Sequence, residues 1–178
     1  MDREEAWYAQ LRRQWQPDPV RLLLIGESAP SDAGDPSARR FFYADSLSSR
    51  DSLFRAVVEA VLDEPHLDSQ TATKAPWLAQ LRDRGVFLID VVPYPVNGMD
   101  SAERRRVRRA SVPGCVERAA ALNPEGIIVC HKPSFELLRQ PLHAAGLPLL
   151  HDTAIPFPLG NWRRDFVQGF RAAYRKLG

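Results

Sequence analysis

Polar side chains that could support acid–base chemistry follow each of four short apolar runs. Glu27 and Ser28 follow the first run, Asp90 lies near the end of the second, His131 follows the third and His151 follows the fourth. A carboxylate beside a histidine can activate water and assist a leaving group, and a carboxylate can also accept hydrogen bonds from a ligand. The pattern predicts one polar site if the fold brings the ends of these runs together.

The four apolar runs are typical of strands buried on both faces. Amphipathic stretches of helical period separate them, so strands and helices should alternate. This alternation favours an α/β fold, a three-layer α/β/α sandwich around a four-stranded parallel sheet whose carboxyl edge holds the ligand site. The predicted strands are residues 21–26, 86–92, 126–130 and 147–150, and the predicted helices are residues 2–15, 51–62, 75–84, 102–122, 133–145 and 162–177.

Chain length and composition are those of one ordinary globular domain. The 178 residues, 44% hydrophobic and 26% charged, predict a single domain over residues 1–178. No apolar run approaches the roughly 20 residues that a transmembrane helix needs, and the first residues lack the apolar stretch of a signal peptide. We therefore expect a cytoplasmic monomer that has no membrane partner.

The cysteines and histidines do not predict a metal site. Cys115 and Cys130 are too few for a disulfide framework, a four-thiolate zinc site or an iron–sulfur cluster. The four histidines lack the spacing of metal ligands on one helix. We expect no metal ion and no cofactor.

Five arginines lie within residues 104–109, although the net charge of the chain is only +2. Ser101 and Glu103 just before them suit the start of a helix, because they provide a cap and complement the helix dipole. The arginines then form either a solvated helix face with intrahelical ion pairs or a surface that contacts phosphate groups.

A loop rich in proline and glycine, residues 28–36, follows the first predicted strand and leads to Phe41, Phe42 and Tyr43. Long loops at the carboxyl edge of a sheet are often functional. The three aromatic side chains either offer a stacking surface for a base or anchor the loop in the core.

Four segments, taken together, resemble the uracil-DNA glycosylase superfamily. Residues 24–30, Leu-Ile-Gly-Glu-Ser-Ala-Pro, are similar to its first motif, and residues 41–43 stand where its members carry the aromatic that stacks on the flipped base. Residues 87–90 are similar to the strand whose terminal Asn reads the uracil edge. Residues 156–166 resemble the last motif, and the four matches span nearly the whole chain.

The resemblance implies a four-stranded parallel sheet between helices, recognition of a base extruded from DNA, and hydrolysis of its N-glycosidic bond. It implies three groups of site residues. The catalytic candidates are Glu27, Ser28 and His151; the substrate-binding candidates are Gly26, Ala29, Phe41, Phe42, Asp90 and His131; the nucleic-acid contacts are Pro156, Pro158, Trp162 and Arg163.

This chain departs from the family motifs at four positions. Ser28 stands in place of a water-activating Asp or Asn, Ile155 in place of the His that stabilises the leaving uracil, and Phe157 in place of a Ser that grips phosphate. Asp90 in place of Asn favours a base that presents amino or imino donors, because an ionised carboxylate only accepts hydrogen bonds.

Three hypotheses follow from the motifs and the departures. The first is a DNA glycosylase in which Glu27 activates water and His131 or His151 steadies the leaving group. The second is a binding module for a nucleobase, a nucleotide or DNA that lacks hydrolysis. The third is a small-molecule hydrolase with Ser28 as nucleophile, which the absence of a glycine after Ser28 disfavours.

Overall fold

Three parallel strands form the sheet in a computed structural model of the chain, which describes residues 3–31, 35, 40–67 and 73–178. They are β1 (Leu22–Gly26), β2 (Val86–Asp90) and β3 (Gly126–Val129), in the order β2-β1-β3. Every residue of the three strands is buried. Helices must therefore cover both faces, which explains why the strands are apolar rather than alternating.

Seven helices surround the sheet in the described part of the chain. They are α1 (Arg3–Trp15), α2 (Ser52–Leu62), α3 (Ala75–Asp83), α4 (Ser101–Ala110), α5 (Val112–Leu122), α6 (Lys132–Ala144) and α7 (Arg163–Tyr174). Single 3₁₀ turns, Gly160–Trp162 and Arg175–Leu177, flank α7. None of the helices in the described ranges is long and apolar enough to cross a bilayer.

The helices pack as two groups, α1, α2, α3 and α7 in one and α4, α5 and α6 in the other. The chain moves from β1 to β2 through α2 and α3, and then in the opposite direction from β2 to β3 through α4 and α5. Because β-α-β crossovers are right-handed, this reversal places the two groups on opposite faces of the sheet.

The predicted α/β class with a parallel sheet and surrounding helices is confirmed, but the prediction of four strands is wrong. Residues 147–150 make only an isolated parallel bridge between Ile127 and Leu149. The N–H of Ile127 donates to the carbonyl of Pro148 at 2.8 Å, and the N–H of Leu150 donates to Ile127 at 3.0 Å. Pro148 has no N–H of its own, so it weakens the ladder at this edge.

The single helix predicted over residues 102–122 is instead two helices, α4 and α5, which meet at Ser111. Pro113 lacks the N–H that would bond to the carbonyl of Arg109, so the helical ladder is interrupted there. Asp100, rather than Ser101, caps α4, since its side chain accepts hydrogen bonds from the N–H groups of Ala102 at 2.8 Å and Glu103 at 2.9 Å.

Candidate ligand-binding site

A cavity of about 510 Å³ opens at the carboxyl ends of the strands. Gly26 ends β1 and lies opposite Asp90, which ends β2. Glu27 follows β1 and His131 follows β3, and all four residues line the cavity. Ser28 and Ala29 also line it. The parallel sheet thus brings most of the predicted catalytic and substrate-binding residues together.

Two arginines from α4 hold the carboxylate of Glu27. Arg104 Nε donates to Glu27 Oε1 at 3.1 Å and its Nη2 donates to Oε2, while Arg108 donates to Oε1 from Nε at 3.0 Å and from Nη2 at 2.5 Å. His131 Nε2 lies 3.9 Å from Glu27 Oε2. Since Arg104 and Arg108 are one helical turn apart, one face of α4 points at the cavity.

The paired arginines set the acidity of Glu27. Burial by itself would raise the pKa of this carboxyl, but the hydrogen bond from Arg104, the charge of His131 when it is protonated at low pH, and Arg108 outweigh it, so the pKa lies below its ordinary value. A carboxylate with a lowered pKa is a weak base. This arrangement is better suited to holding α4 against the cavity than to removing a proton from water.

We expect Glu27→Gln to destabilise the fold by about 2 kcal/mol at neutral pH, because it removes charge-assisted hydrogen bonds and leaves Arg108 buried without its counterion. The folded pKa of Glu27 is lower than the unfolded one, so its contribution is present above the ordinary pKa of 4.5 and is lost as the pH falls through the folded pKa. Urea unfolding of both proteins between pH 3 and pH 7 checks this. A stability difference that stays constant across this range would contradict it.

Asp90 is a buried carboxylate paired with a cation from the first helix. Arg12 of α1 donates to Asp90 Oδ2 at 2.7 Å. Burial raises the pKa of Asp90, and Arg12 opposes this rise. A Cβ on Gly26 would lie 2.6 Å from Asp90 Oδ1, so the glycine leaves that oxygen the room it occupies. The absence of a side chain at Gly26 therefore preserves the position of a carboxylate in the cavity lining.

The imidazole of His131 lies between a hydroxyl and a carboxylate. Its Nδ1 lies 2.7 Å from the hydroxyl of Ser134, and its Nε2 faces Glu27. Burial lowers the pKa of His131, although the charge of Glu27 opposes this, so the ring is mainly neutral at neutral pH. A neutral imidazole in the cavity can donate or accept a hydrogen bond.

His151 lies outside the lining of the cavity, away from Glu27. Its Nε2 accepts a hydrogen bond from the N–H of Val129 at 3.0 Å, and its Nδ1 lies 2.8 Å from the carbonyl of Thr153, to which it donates. The ring also stacks on Phe135, with centroids 4.9 Å apart. Because both nitrogens are engaged by the backbone, His151 ties the segment after residue 150 to β3 rather than serving the cavity.

The aromatic segment, residues 41–43, lies partly in the core and partly against the cavity. Tyr43 anchors it in the core, where its hydroxyl donates to the carbonyl of Leu88 at 3.2 Å and accepts from the Leu88 N–H at 2.6 Å, at the open edge of β2. Phe41 is also buried, but Phe42 is half-buried. The rings of Phe42 and Phe54 meet edge to face, 5.3 Å apart, and both residues line the cavity. Phe42 and Phe54 therefore give it an aromatic wall.

Lys74 is a fully buried lysine beneath this wall. Its Nζ donates to Asp51 Oδ1 at 2.9 Å and to the carbonyl of Phe41 at 2.8 Å, and it lies 4.9 Å from the centroid of the Phe54 ring. Asp51, Phe41 and Phe54 all line the cavity. Burial lowers the pKa of Lys74, and Asp51 opposes this. Lys74 thus joins the aromatic segment to the start of α2.

The segment that resembles the last motif contributes two residues to the cavity lining. Pro156, Pro158, Trp162 and Arg163 do not line the cavity, whereas Phe157 and Leu159, which lie between them, do. Arg163 is bound to Glu59 of α2, with Nε 2.8 Å from Glu59 Oε2. Trp162 has an exposed fraction of 58% and stands at the surface beside this segment.

Several functional candidates were missed by reasoning from the sequence. Four charged residues pair with partners distant in the chain, and no local spacing predicts such pairs. They are Arg12, Asp51, Lys74 and Arg108. Two signals were available: Arg108 belongs to the arginine cluster at residues 104–109, and Lys74 is one of only three lysines among the 24 lysines and arginines of the chain. Among the described residues, no group of three or more His, Cys, Asp or Glu side chains is arranged to hold a metal ion.

Comparison with known proteins adds no family assignment. No protein-family model matches the chain, and no curated protein is significantly similar to it. The function therefore has to be argued from the geometry of the cavity and from the motifs.

Proposed function

We propose that this protein binds a nucleobase, presented by DNA or by a nucleotide, in the cavity at the carboxyl edge of the sheet. The observation that carries the proposal is the presence in one cavity of the aromatic rings of Phe42 and Phe54 and the hydrogen-bonding groups of Asp90 and His131. A nucleobase has an apolar face for stacking and a polar edge for hydrogen bonds, and this cavity offers groups for both. The volume of about 510 Å³ lies in the range of small-ligand sites.

The motifs support the same proposal. Gly26, Glu27, Phe42 and Asp90 are positions of the resemblance to the uracil-DNA glycosylase superfamily, and each lines the cavity. We accordingly propose a fold of that type, in which residues 147–150 hold the place of the fourth strand with a single bridge.

Asp90 shapes the proposed choice of base. Burial raises the pKa of Asp90 overall, but the charge and hydrogen bond of Arg12 at 2.7 Å favour the ionised form, and an ionised carboxylate accepts hydrogen bonds without donating any. A base edge with amino or imino N–H groups would pair with it, and the O4 edge of uracil would be repelled. The proposed ligand is therefore a base that presents N–H donors.

Hydrolysis of the N-glycosidic bond is the second candidate function. Glu27 and His131 both line the cavity, 3.9 Å apart, so a carboxylate and an imidazole are present where hydrolysis would need them. Because Arg104 and Arg108 lower the pKa of Glu27, we place binding ahead of hydrolysis. A hydrolase with Ser28 as nucleophile has less support. The Nδ1 of His131 lies 2.7 Å from the hydroxyl of Ser134, and its Nε2 faces Glu27.

A paired binding and base-release experiment tests the proposal. The probes are labelled oligonucleotides, single- and double-stranded, that contain uracil, hypoxanthine or xanthine. Fluorescence anisotropy measures their binding, and strand cleavage after alkali measures release of the base. We expect binding that Phe42→Leu weakens about tenfold through lost stacking, while Phe87→Leu, the same change in β2 outside the cavity lining, leaves it intact. Binding that is absent at low salt, or equal in both variants, would overturn the proposal. Cleavage that Glu27→Gln abolishes would establish hydrolysis as well.

A further inference from the structure

Among the described residues, the charges around the cavity include more cations than the acidic residues need. Three acidic residues line the described cavity, and each already has a cation from the fold: Arg104 and Arg108 pair with Glu27, Lys74 with Asp51 and Arg12 with Asp90. None of these carboxylates therefore needs a cationic ligand.

Two further arginines line the same cavity, and neither has an acidic partner among the described residues. Arg40 is half-buried just before the aromatic segment, and Arg50 is exposed just before α2. In the part of the chain that the structure describes, neither side chain has an ion pair or a hydrogen bond. Arg104, the third arginine of the lining, is occupied by Glu27.

An excess of positive charge at the mouth of a partly apolar cavity favours an anion. Field lines from such a site concentrate where the low-dielectric walls exclude water, which raises the local concentration of anionic ligands. Arginine is also the side chain that matches phosphate oxygens with two parallel N–H donors. The aromatic wall and the two arginines lie in one cavity, so a base and a phosphate of the same molecule can be bound together.

We propose that Arg40 and Arg50 form a phosphate subsite, so that the ligand of this cavity is a phosphorylated nucleoside and not a free base or nucleoside. This inference rests on the proposed function, because it adds a phosphate to the base bound beside Phe42. A free nucleotide and a nucleotide within a single strand share this chemistry.

Titration calorimetry on the full chain distinguishes the phosphate subsite from the nucleobase pocket. The probes are nucleosides, their 5′-monophosphates, inorganic phosphate and short single-stranded oligonucleotides. We expect the monophosphates or the oligonucleotides to bind at least tenfold more tightly than the nucleosides. Arg40→Gln/Arg50→Gln should abolish this preference without changing nucleoside affinity. Arg40→Lys/Arg50→Lys should restore part of it, and Arg105→Gln/Arg109→Gln on the exposed face of α4 should not alter it.

The outcomes are distinguishable. Nucleosides that bind as tightly as their monophosphates would overturn the phosphate subsite and leave the nucleobase pocket standing. Inorganic phosphate that binds through Arg40 and Arg50, with no added affinity from any base, would overturn the nucleobase pocket and confine the inference to an anion site. Tighter binding of oligonucleotides than of monophosphates would identify a nucleic-acid strand as the source of the phosphate.

Discussion

Replacement of Lys74 by methionine is expected to destabilise the protein by about 3–5 kcal/mol, because it leaves the buried carboxylate of Asp51 without its cation. For a chain of this size, the loss corresponds to a fall in Tm of roughly 10 °C. Methionine has nearly the length of lysine and avoids a large cavity, so the effect reports the lost charge and hydrogen bonds. Thermal unfolding followed by circular dichroism measures it.

Two control proteins make the Lys74 result specific. Lys132→Met changes an exposed lysine at the start of α6 and should leave Tm unchanged within error. Lys74→Met/Asp51→Asn removes the stranded charge as well, so it should recover part of the loss. A single variant as stable as the unmodified protein would show that the pair does not hold the cavity wall together.

Replacement of Arg12 by methionine is expected to cost a similar amount, about 3–5 kcal/mol, for a related reason. Arg12 is the hydrogen-bonded cation of Asp90, a carboxylate that has an exposed fraction of only 4%. Without it, desolvation acts on Asp90 almost unopposed and raises the pKa of the carboxyl further. The folded pKa of Asp90, which is already above the unfolded one, is then higher still, so the variant should regain stability as the pH falls through the folded pKa toward the unfolded one.

The neighbouring residue provides a matched control for Arg12. Arg13→Met makes the same change one position along α1, at an exposed side chain, and should have little effect. Adding Asp90→Asn to Arg12→Met should recover stability and remove the pH dependence. Chemical unfolding at several pH values checks both expectations, and a single Arg12 variant that loses no more stability than Arg13→Met would contradict them.

The order of strands and helices could be predicted because it depends on short-range patterns. The apolar runs that became β1, β2 and β3 lie between amphipathic stretches, and a chain with this alternation buries its strands most readily in a parallel sheet. The run at residues 147–150 has the same composition, but Pro148 and its place at the edge reduced it to one bridge. Whether a run becomes a strand therefore also depends on the partner that supplies its hydrogen bonds.

The location of the site could be predicted in the same way, since strand ends share one edge in a parallel sheet. Glu27, Asp90 and His131 were placed there on sequence alone, and they do line one cavity. His151 was expected at the same edge because it follows the fourth apolar run. In the structure, the backbone of Val129 and Thr153 engages both of its ring nitrogens.

The strand–helix order and the edge of the sheet where polar residues gather follow from the spacing of apolar residues along the chain, so both could be predicted without coordinates. Which charges meet at that edge depends on how distant segments pack. Arg12 is 78 positions from Asp90, and Arg108 is 81 positions from Glu27. Ion pairs of this separation form only when the fold brings the two side chains together, so no local pattern can specify them.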